Sequence, residues 1–289
     1  MQSDSVTMFA YAKVNLALAI TGWKEGFHQL ETIMQSIETH DLVWVKRQSE
    51  GIVCECGDLS GPQNLAFKAA DLFLRYLGKP EGIEIRITKN IPLQAGLAGG
   101  SSDAAAVLRA LNRLFHEPFS SAELEGMARL CGSDVPFCLS GGTKWAIGRG
   151  DQMERLPEPP DLDLVLIKPQ RGVDTAEAYR RFAAKPVYRH LERGRWANFL
   201  KGGDKEGIAQ MLFNDLEPVS VVLVPEIDEA KRKLREAGCL GTLMSGSGSA
   251  VFGIAKDAEQ AQFIAERLRW QGFNTWATRS ICSEEVGKG

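Results

Sequence analysis

PLQAGLAGGSSD, at positions 92–103, is the stretch of this chain that bears most directly on its fold. Its glycines allow successive backbone N–H groups to converge, and the alanine- and leucine-rich run at 101–115 predicts a helix directly after them. Convergent N–H groups at the positive end of a helix form a nest for anions such as phosphates. A flexible left-handed connection between a strand and a helix also explains the glycines. Two hydroxyls at the helix start favour the phosphate site, because a plain turn needs only one cap.

The two common nucleotide-binding patterns do not describe this loop. The pattern GxxxxGK[ST] requires a lysine after its second glycine, and none follows Gly99-Gly100. The GxGxxG spacing is missing as well. A phosphate site here must therefore be of another kind.

Hydrophobic patterns outside the loop predict a mixture of strands and helices. Strands are predicted at 9–21, 32–37, 41–46, 52–56, 82–88, 143–147 and 162–167, with a strand pair flanking 246–248 and a closing strand. Helices are predicted at 64–77, ending at Gly78, and at 121–130, 175–182, 205–212, 226–237 and 258–271. Because the strands and helices do not alternate regularly, the predicted fold class is α+β rather than a doubly wound sheet.

The length of 289 residues corresponds to about two domains. Prolines at 157, 159 and 160 indicate a connector within 154–163. We therefore expect an N-terminal domain at 1–157 and a C-terminal domain at 158–289.

Charge and composition narrow the class of protein. With 34 Lys and Arg against 37 Asp and Glu, the chain lacks the broad positive surface of a duplex nucleic-acid binder. No apolar run approaches the roughly 18 residues of a membrane span, and the first residues do not resemble a signal peptide. We expect a cytoplasmic protein without nucleic-acid or membrane partners. Its six scattered cysteines are expected to be reduced, and the alternation of Cys54-Glu55-Cys56 favours a strand over a metal site.

Two charged residues stand out before any family is considered. Lys13 lies in an apolar stretch, and a lysine rarely faces a core unless it is paired or functional. An outward-facing lysine on a half-exposed strand is the alternative. Asp134 precedes Val135-Pro136, which suits a helix N-cap, although a carboxylate there can also act as a base.

Three separated blocks resemble the GHMP kinases (galactose, homoserine, mevalonate and phosphomevalonate kinases), in the family's order. They are AYAKVNL at 10–16, the loop at 92–103 and MSGSGSAVF at 244–252. GFH at 26–28 and GSDVP at 132–136 are similar to the branch that phosphorylates a cytidyl-capped methylerythritol in the non-mevalonate isoprenoid route. The resemblance implies a two-lobed fold with the active site between an ATP-binding lobe and a C-terminal lobe. It also implies transfer of the ATP γ-phosphate to the substrate's 2-hydroxyl, with Mg²⁺ as a further cofactor.

The resemblance further implies roles for individual residues. Asp134 would accept the hydroxyl proton as general base, while Lys13 would keep that carboxylate ionised and steady the attacking oxygen. The implied phosphate-binding residues are Gly96, Leu97, Ala98, Gly99, Gly100, Ser101 and Ser102, with Ser102 also the Mg²⁺ candidate. The implied adenine-binding residues are Asn64, Leu65 and Lys89; the substrate-binding residues are Asn15, Phe27, His28 and Tyr179; and the C-terminal glycine turn is Gly246, Ser247 and Gly248.

The pyrimidine contacts have structural alternatives. Phe27 can stack on a base and His28 can bond its edge, but such a pair also occurs at the edge of a core. Tyr179 would cover the other face of the base or serve as a core residue on a helix. Many family members carry Tyr where Phe27 stands, so a hydrogen bond from that hydroxyl is lost here.

The loop departs from some relatives at Gln94, Ala95 and Ala98, where they have glycine or other small residues. An alanine still offers its N–H to a phosphate, provided that its φ stays negative.

Two rival functions remain at the level of the sequence. Another GHMP kinase, of the homoserine or mevalonate type, would share the loop but would not need the sequence Gly26-Phe27-His28. A non-catalytic nucleotide or RNA binder would be expected to lack the pair Lys13 and Asp134 and to be more basic than the net charge of -3.

Overall fold

The computed structural model describes residues 4–79, 81–159 and 161–288, which form two β-sheets and their covering helices. The seven-stranded sheet contains β1 (Ser5–Lys24), β2 (Phe27–Gln48), β3 (Ile52–Glu55), β4 (Gly82–Thr88), β5 (Thr143–Gly148), β6 (Gln152–Arg155) and β8 (Phe213–Asn214). The four-stranded sheet contains β7 (Asp163–Ile167), β9 (Gly241–Met244), β10 (Val251–Ile254) and β11 (Thr275–Arg279), in the order β11-β7-β10-β9.

The long hairpin of β1 and β2 organises the larger sheet, whose order is β3-β4-β2-β1-β8. The prediction of separate strands at 32–37 and 41–46 is wrong, because β2 continues through His40 and Asp41. Those two polar residues interrupt the hydrophobic pattern, but their backbones still pair with Tyr11 and Ala10 of β1. Along its other edge β2 pairs first with β5 and then with β4.

The described helices include several that the sequence patterns did not predict. In chain order they are α1 (Leu65–Leu77), α2 (Gly99–Leu114), α3 (Ser121–Cys131), α4 (Val135–Ser140), α5 (Thr175–Ala184), α6 (Arg193–Gly202), α7 (Lys205–Met211), α8 (Glu217–Leu223), α9 (Glu226–Glu236), α10 (Ala258–Trp270) and α11 (Ser283–Lys288). The prediction missed α4, α6, α8 and α11 and the strands β6 and β8. Most of these elements are too short to show a full hydrophobic period. Helix α2 begins at Gly99, two residues before its predicted start, because both glycines of the pair are helical.

Three clusters of buried side chains hold the elements together, and β1 contributes to all of them. The first joins the larger sheet to α1, α2 and α3 around Phe73. The second joins both sheets, with Leu16 of β1 and Phe252 of β10 among its members. The third packs Ile20 of β1 with the smaller sheet, α9 and α10. The middle of β1, where Lys13 lies, is therefore held from several sides.

The two halves of the chain share the larger sheet. The first six strands of the larger sheet end at Arg155, and β7 of the smaller sheet begins at Asp163. β8 then returns to the larger sheet and pairs in parallel with β1 through Ala17 and Phe213. The division into 1–157 and 158–289 stays a prediction. No helix in the described ranges is both long and apolar enough to cross a bilayer.

All six cysteines are free thiols. Cys54 and Cys56 are buried, Cys54 lies in β3, and burial raises the pKa of the Cys54 thiol to about 11. Both belong to the hydrophobic core, as the alternating pattern predicts.

Candidate active site

Lys13 and Asp134 form an ion pair in a cleft of about 530 Å³. Lys13 Nζ lies 3.7 Å from Asp134 Oδ2, and the Lys13 side chain is almost completely buried. The alternative of an outward-facing lysine is therefore wrong. Burial of an ammonium without a partner would be costly, so this lysine is held by its polar neighbours.

Asp134 occupies the N-cap position of α4, with Pro136 in the first turn. Its side chain makes no capping hydrogen bond, so the backbone takes the position of a cap while the carboxylate does not act as one. The carboxylate faces the cleft, with its side chain 36% exposed. It is accessible to a hydroxyl that enters the cleft.

Asn15 holds Lys13 in place from the same strand. Its Oδ1 accepts a hydrogen bond from Lys13 Nζ at 2.7 Å, and its Nδ2 donates to Thr32 Oγ1 at 2.8 Å. Thr32 in turn donates to the backbone carbonyl of Ala17 at 2.6 Å. Asn15 lines the cleft, but the chain of bonds gives it the geometry of a positioning residue for Lys13.

The glycine-rich loop turns sharply before α2. Gln94, Gly96 and Ala98 have φ values of 49°, 74° and 59°, all in the left-handed region. The condition of a negative φ is therefore not met at Ala98. This residue is the N-cap of α2 and makes no side-chain capping bond, so its strained backbone serves the turn into the helix. Left-handed backbone costs an L-residue about 1–2 kcal/mol, which the surrounding contacts must offset.

A second pocket, of about 270 Å³, adjoins the loop on the side of α1. The loop residues on its wall include Gly99, Gly100 and Ser101, so the N-terminus of α2 opens into it. Three loop residues, Gln94, Gly96 and Ala98, line this pocket and the central cleft together. The phosphate-binding loop predicted from the sequence thus lies between the two spaces.

The C-terminal glycine turn is hydrogen-bonded to the loop. Ser245 Oγ donates to the Gly96 carbonyl at 2.9 Å, and the Ser249 and Ala250 N–H groups donate to the carbonyls of Gln94 and Ala95 at 3.2 and 3.1 Å. The turn itself lines the central cleft through Gly246, Ser247 and Gly248. The two glycine-rich segments therefore form one wall.

An aromatic pocket of about 310 Å³ opens from the other end of the cleft. The rings of His28 and Tyr179 stack there with centroids 5.2 Å apart, and Trp23 meets His28 edge-on at 4.6 Å. Phe27 is 46% exposed, and the guanidinium carbon of Arg149 lies 3.7 Å from its ring centroid.

His28 has the electronic state that recognition of a base edge requires, and one of its ring nitrogens has no partner. Burial lowers its pKa despite the opposing effect of a hydrogen bond from the ring to the Tyr179 backbone, and the lowered pKa favours the neutral imidazole at pH 7. Its Nδ1 is buried and has no hydrogen-bond partner. A neutral imidazole nitrogen can donate to or accept from the edge of a base.

Comparison with known proteins agrees with this geometry. Residues 64–142 match the model of the GHMP kinases N terminal domain, and residues 197–272 match that of the GHMP kinases C terminal. The chain is 52% identical to 4-diphosphocytidyl-2-C-methyl-D-erythritol kinase of Desulfitobacterium hafniense over 97% of this chain and 98% of the relative. It is 46% identical to the same-named kinase of Pelotomaculum thermopropionicum over 96% of this chain and 98% of the relative. The chain belongs to this family of GHMP kinases.

A solved structure gives the same answer for the fold. The crystal structure of a 4-(cytidine 5'-diphospho)-2C-methyl-D-erythritol kinase superposes with a TM-score of 0.84 at 35% identity, covering 95% of this chain and 99% of the other. The resemblance drawn from the three sequence blocks and the predicted α+β GHMP kinase fold are confirmed. The roles of individual residues stay predictions.

The three predicted adenine-binding residues of this kinase lie in different surroundings. Leu65 and Lys89 line the pocket beside the loop. Asn64 instead caps α1: its Oδ1 accepts from Ala66 N at 2.9 Å and its Nδ2 donates to the Leu59 carbonyl at 3.0 Å. Its side-chain amide is already engaged in holding the helix start.

Lys89 is held by two buried carboxylates that no sequence pattern identified as part of the site. Its Nζ bonds to Asp41 and, at 2.7 Å, to Asp103. Burial disfavours the charge of Lys89, but Asp103 and Asp41 outweigh this and raise its pKa. Burial also raises the pKa of Asp103, to about 7, against the opposing effect of Lys89. Two features of the sequence could have pointed to these carboxylates. Asp41 interrupts the apolar pattern of its strand, and Asp103 is an acidic residue near the start of α2.

Ser102 is poorly placed for the predicted contact with Mg²⁺. It is 1% exposed, and its Oγ donates to the carbonyl of Tyr11 at 2.5 Å. The neighbouring Ser101 lines the pocket instead. Within residues 4–79, 81–159 and 161–288, no three His, Cys, Asp or Glu side chains are grouped to hold a metal ion.

Proposed function

We propose that this chain transfers the γ-phosphate of ATP to the 2-hydroxyl of 4-diphosphocytidyl-2-C-methyl-D-erythritol. The supporting observation is the order of three connected spaces. The pocket beside the loop shares part of its wall with the central cleft, and the cleft shares part of its wall with the aromatic pocket. Lys13 and Asp134 lie in the middle space. A kinase for a base-capped alcohol needs a nucleotide site, a reacting centre and a base site in this order.

Asp134 has the position of the general base in this proposal. Its carboxylate accepts the proton of the 2-hydroxyl as the oxygen attacks the γ-phosphorus, a contribution of about 10²- to 10⁴-fold in rate. The ammonium of Lys13, 3.7 Å away, stabilises negative charge on the attacking oxygen and the phosphoryl group.

The loop supplies the phosphate contacts in this proposal. Backbone N–H groups from Gly96 to Ser101 and the positive end of α2 bind the ATP phosphates, with the adenine placed toward Leu65 and Lys89. Mg²⁺ binds chiefly to phosphate oxygens and needs only one or two carboxylates from a protein, and Asp134 and Asp174 line the cleft and would fit it. When bound, it neutralises charge on the phosphates.

The aromatic pocket supplies the contacts to the cytosine. Phe27 and Tyr179 offer ring faces, and His28 offers a neutral nitrogen without a partner. Stacking of a base on an aromatic ring contributes about 1–3 kcal/mol. His28 lies against the ring of Tyr179, so a base that enters the pocket must displace that contact, whereas Arg149 can stay stacked on one face of Phe27.

Turnover with competing acceptors tests the substrate. We expect ATP-dependent phosphorylation of the cytidyl substrate and no comparable turnover of homoserine or mevalonate. Faster transfer to either of those alcohols would contradict the proposed substrate while leaving the kinase fold intact.

Asp134→Asn tests the mechanism. The amide is nearly isosteric but cannot take a proton, so turnover at saturating substrates should fall by about 10²-fold or more while ATP affinity is retained. Asp71→Asn makes the same chemical change on the exposed side of α1 and serves as the control. Turnover of Asp134→Asn within a fewfold of the unaltered chain would remove Asp134 from the role of base.

A further inference from the structure

The central cleft and the aromatic pocket share a short stretch of wall. Both spaces are lined by Leu30, Ser133, Arg149 and Tyr179. A molecule with its base in the aromatic pocket and its reacting hydroxyl at Asp134 must pass this wall. In the substrate of the proposed function, the segment between the base-bearing nucleoside and the alcohol is a diphosphate. The diphosphate therefore lies at this junction, and the inference rests on the proposed function.

Arg149 is the cationic member of these four residues. Its guanidinium forms no ion pair and donates no hydrogen bond within the parts of the chain that the structure describes, and the residue is exposed. Its N–H donors are therefore available to a ligand. A guanidinium offers a planar fork of donors that matches two phosphate oxygens, and these charge-assisted bonds are about twice as strong as neutral ones.

The backbone and a neighbouring ring fix the position of Arg149. It lies in the turn between β5 and β6, flanked by Gly148 and Gly150 with φ values of 71° and 89°. The Gly150 N–H donates to the Ile147 carbonyl at 3.1 Å and closes the turn. The contact of the guanidinium with the face of Phe27 then orients the side chain, and stacking leaves the N–H edge of the fork free for other partners.

We propose that Arg149 binds the diphosphate of the substrate at the junction of the two pockets while it is stacked on Phe27. Lys13, the other cation of the cleft, is bonded to Asn15 and paired with Asp134, so it serves the reacting end. Lys13 therefore serves the transfer chemistry, and Arg149 serves substrate binding. It is a binding and specificity residue that favours nucleotides over uncharged nucleosides.

A series of fragments isolates this contact. Isothermal titration would measure the binding of cytidine, CMP and CDP to the chain with its nucleotide site saturated by a non-hydrolysable ATP analogue. The unaltered chain should bind CDP more tightly than cytidine. Arg149→Gln should weaken CDP binding by about 10- to 150-fold and leave cytidine binding within about twofold, because only the bonds to phosphate are lost. Arg149→Lys should restore part of the CDP affinity.

Arg155→Gln is the matched control. Arg155 is an exposed arginine on β6 that lines neither pocket, so the same charge change there should leave CDP binding unaltered. Equal losses of cytidine and CDP affinity in Arg149→Gln would overturn the proposal. They would show that Arg149 only packs on the ring of Phe27. Unchanged CDP affinity would overturn it as well. Turnover of the cytidyl substrate by the unaltered chain separates the two claims: its failure removes the proposed function, whereas turnover with unchanged CDP affinity in Arg149→Gln removes only the role of Arg149.

Discussion

A Cβ atom on Gly96 would lie 2.0 Å from the carbonyl oxygen of Ser245, so the phosphate loop and the C-terminal glycine turn meet backbone to backbone. The two residues are 149 positions apart, and Ser245 Oγ also donates to the Gly96 carbonyl. Because the turn lines the cleft beside the loop, the shape of the phosphate site depends on a segment from the other half of the chain.

Gly96→Ala should therefore disturb both stability and catalysis. The left-handed backbone alone costs about 1–2 kcal/mol, and the methyl group must also push the two backbones apart. Gly51→Ala is the control, because Gly51 has the same φ of 74° and open space around its Cβ position. Urea unfolding should show a clearly larger loss for Gly96→Ala than for Gly51→Ala, with ATP turnover reduced only in the former. Equal losses of stability would mean that the contact with Ser245 relaxes without cost.

Asn15 should act through Lys13 rather than through the substrate. Asn15→Leu removes the 2.7 Å bond to Lys13 and frees the ammonium to move away from Asp134, so kcat should fall more than KM rises. Thr32→Val, which removes the next hydroxyl in the chain of bonds, should give a smaller effect of the same kind. Steady-state kinetics with the cytidyl substrate measures both quantities. A rise in KM at unchanged kcat would instead indicate a direct contact between Asn15 and the substrate, as the sequence resemblance implies.

The sequence predicted the site best where local chemistry is sufficient. The glycine pattern at 92–103 and the buried Lys13 are local features, and both lie in the cleft. The ion pair of Lys13 with Asp134 joins residues 121 positions apart, and the resemblance alone brought them together. Lys89 illustrates the limit, because its partners Asp41 and Asp103 come from a strand and a helix whose approach no local pattern encodes.

The structure also shows that Gly99 and Gly100 differ as probes of phosphate binding. A Cβ on Gly99 would lie 3.1 Å from the side chain of Ile91, whereas a Cβ on Gly100 would meet only Leu65, at 3.9 Å. A substitution at Gly99 therefore mixes packing with binding. Only Gly100 can report on the approach of phosphates without a packing penalty, and the sequence treats the two glycines as equivalent.

Asp103 should give the stability of the protein a distinctive pH dependence. Its pKa is raised by burial from the ordinary 3.8 to about 7, so between these values the folded chain holds more protons than the unfolded chain. The contribution of this group to the free energy of unfolding therefore falls as the pH rises through that window. Asp103→Asn should reduce the fall of the free energy of unfolding with pH. Urea unfolding at several pH values between about 4 and 7 would measure this slope. The control Asp71→Asn, at an exposed carboxylate, should keep the slope, and an unchanged slope in Asp103→Asn would contradict this assignment.

Ala98→Gly should stabilise the protein, which is unusual for a substitution by glycine. Ala98 has a φ of 59°, and this left-handed backbone costs an alanine about 1–2 kcal/mol that glycine does not pay. The greater freedom of glycine in the unfolded chain offsets about 0.4–1 kcal/mol of this, leaving a net gain of about 0.5–1 kcal/mol. Ala95→Gly provides the contrast in the same loop, because Ala95 is buried and lies outside the left-handed region, so it should lose stability. Urea unfolding of both variants measures the difference, and a loss in Ala98→Gly as large as that in Ala95→Gly would show that the backbone at Ala98 carries no strain.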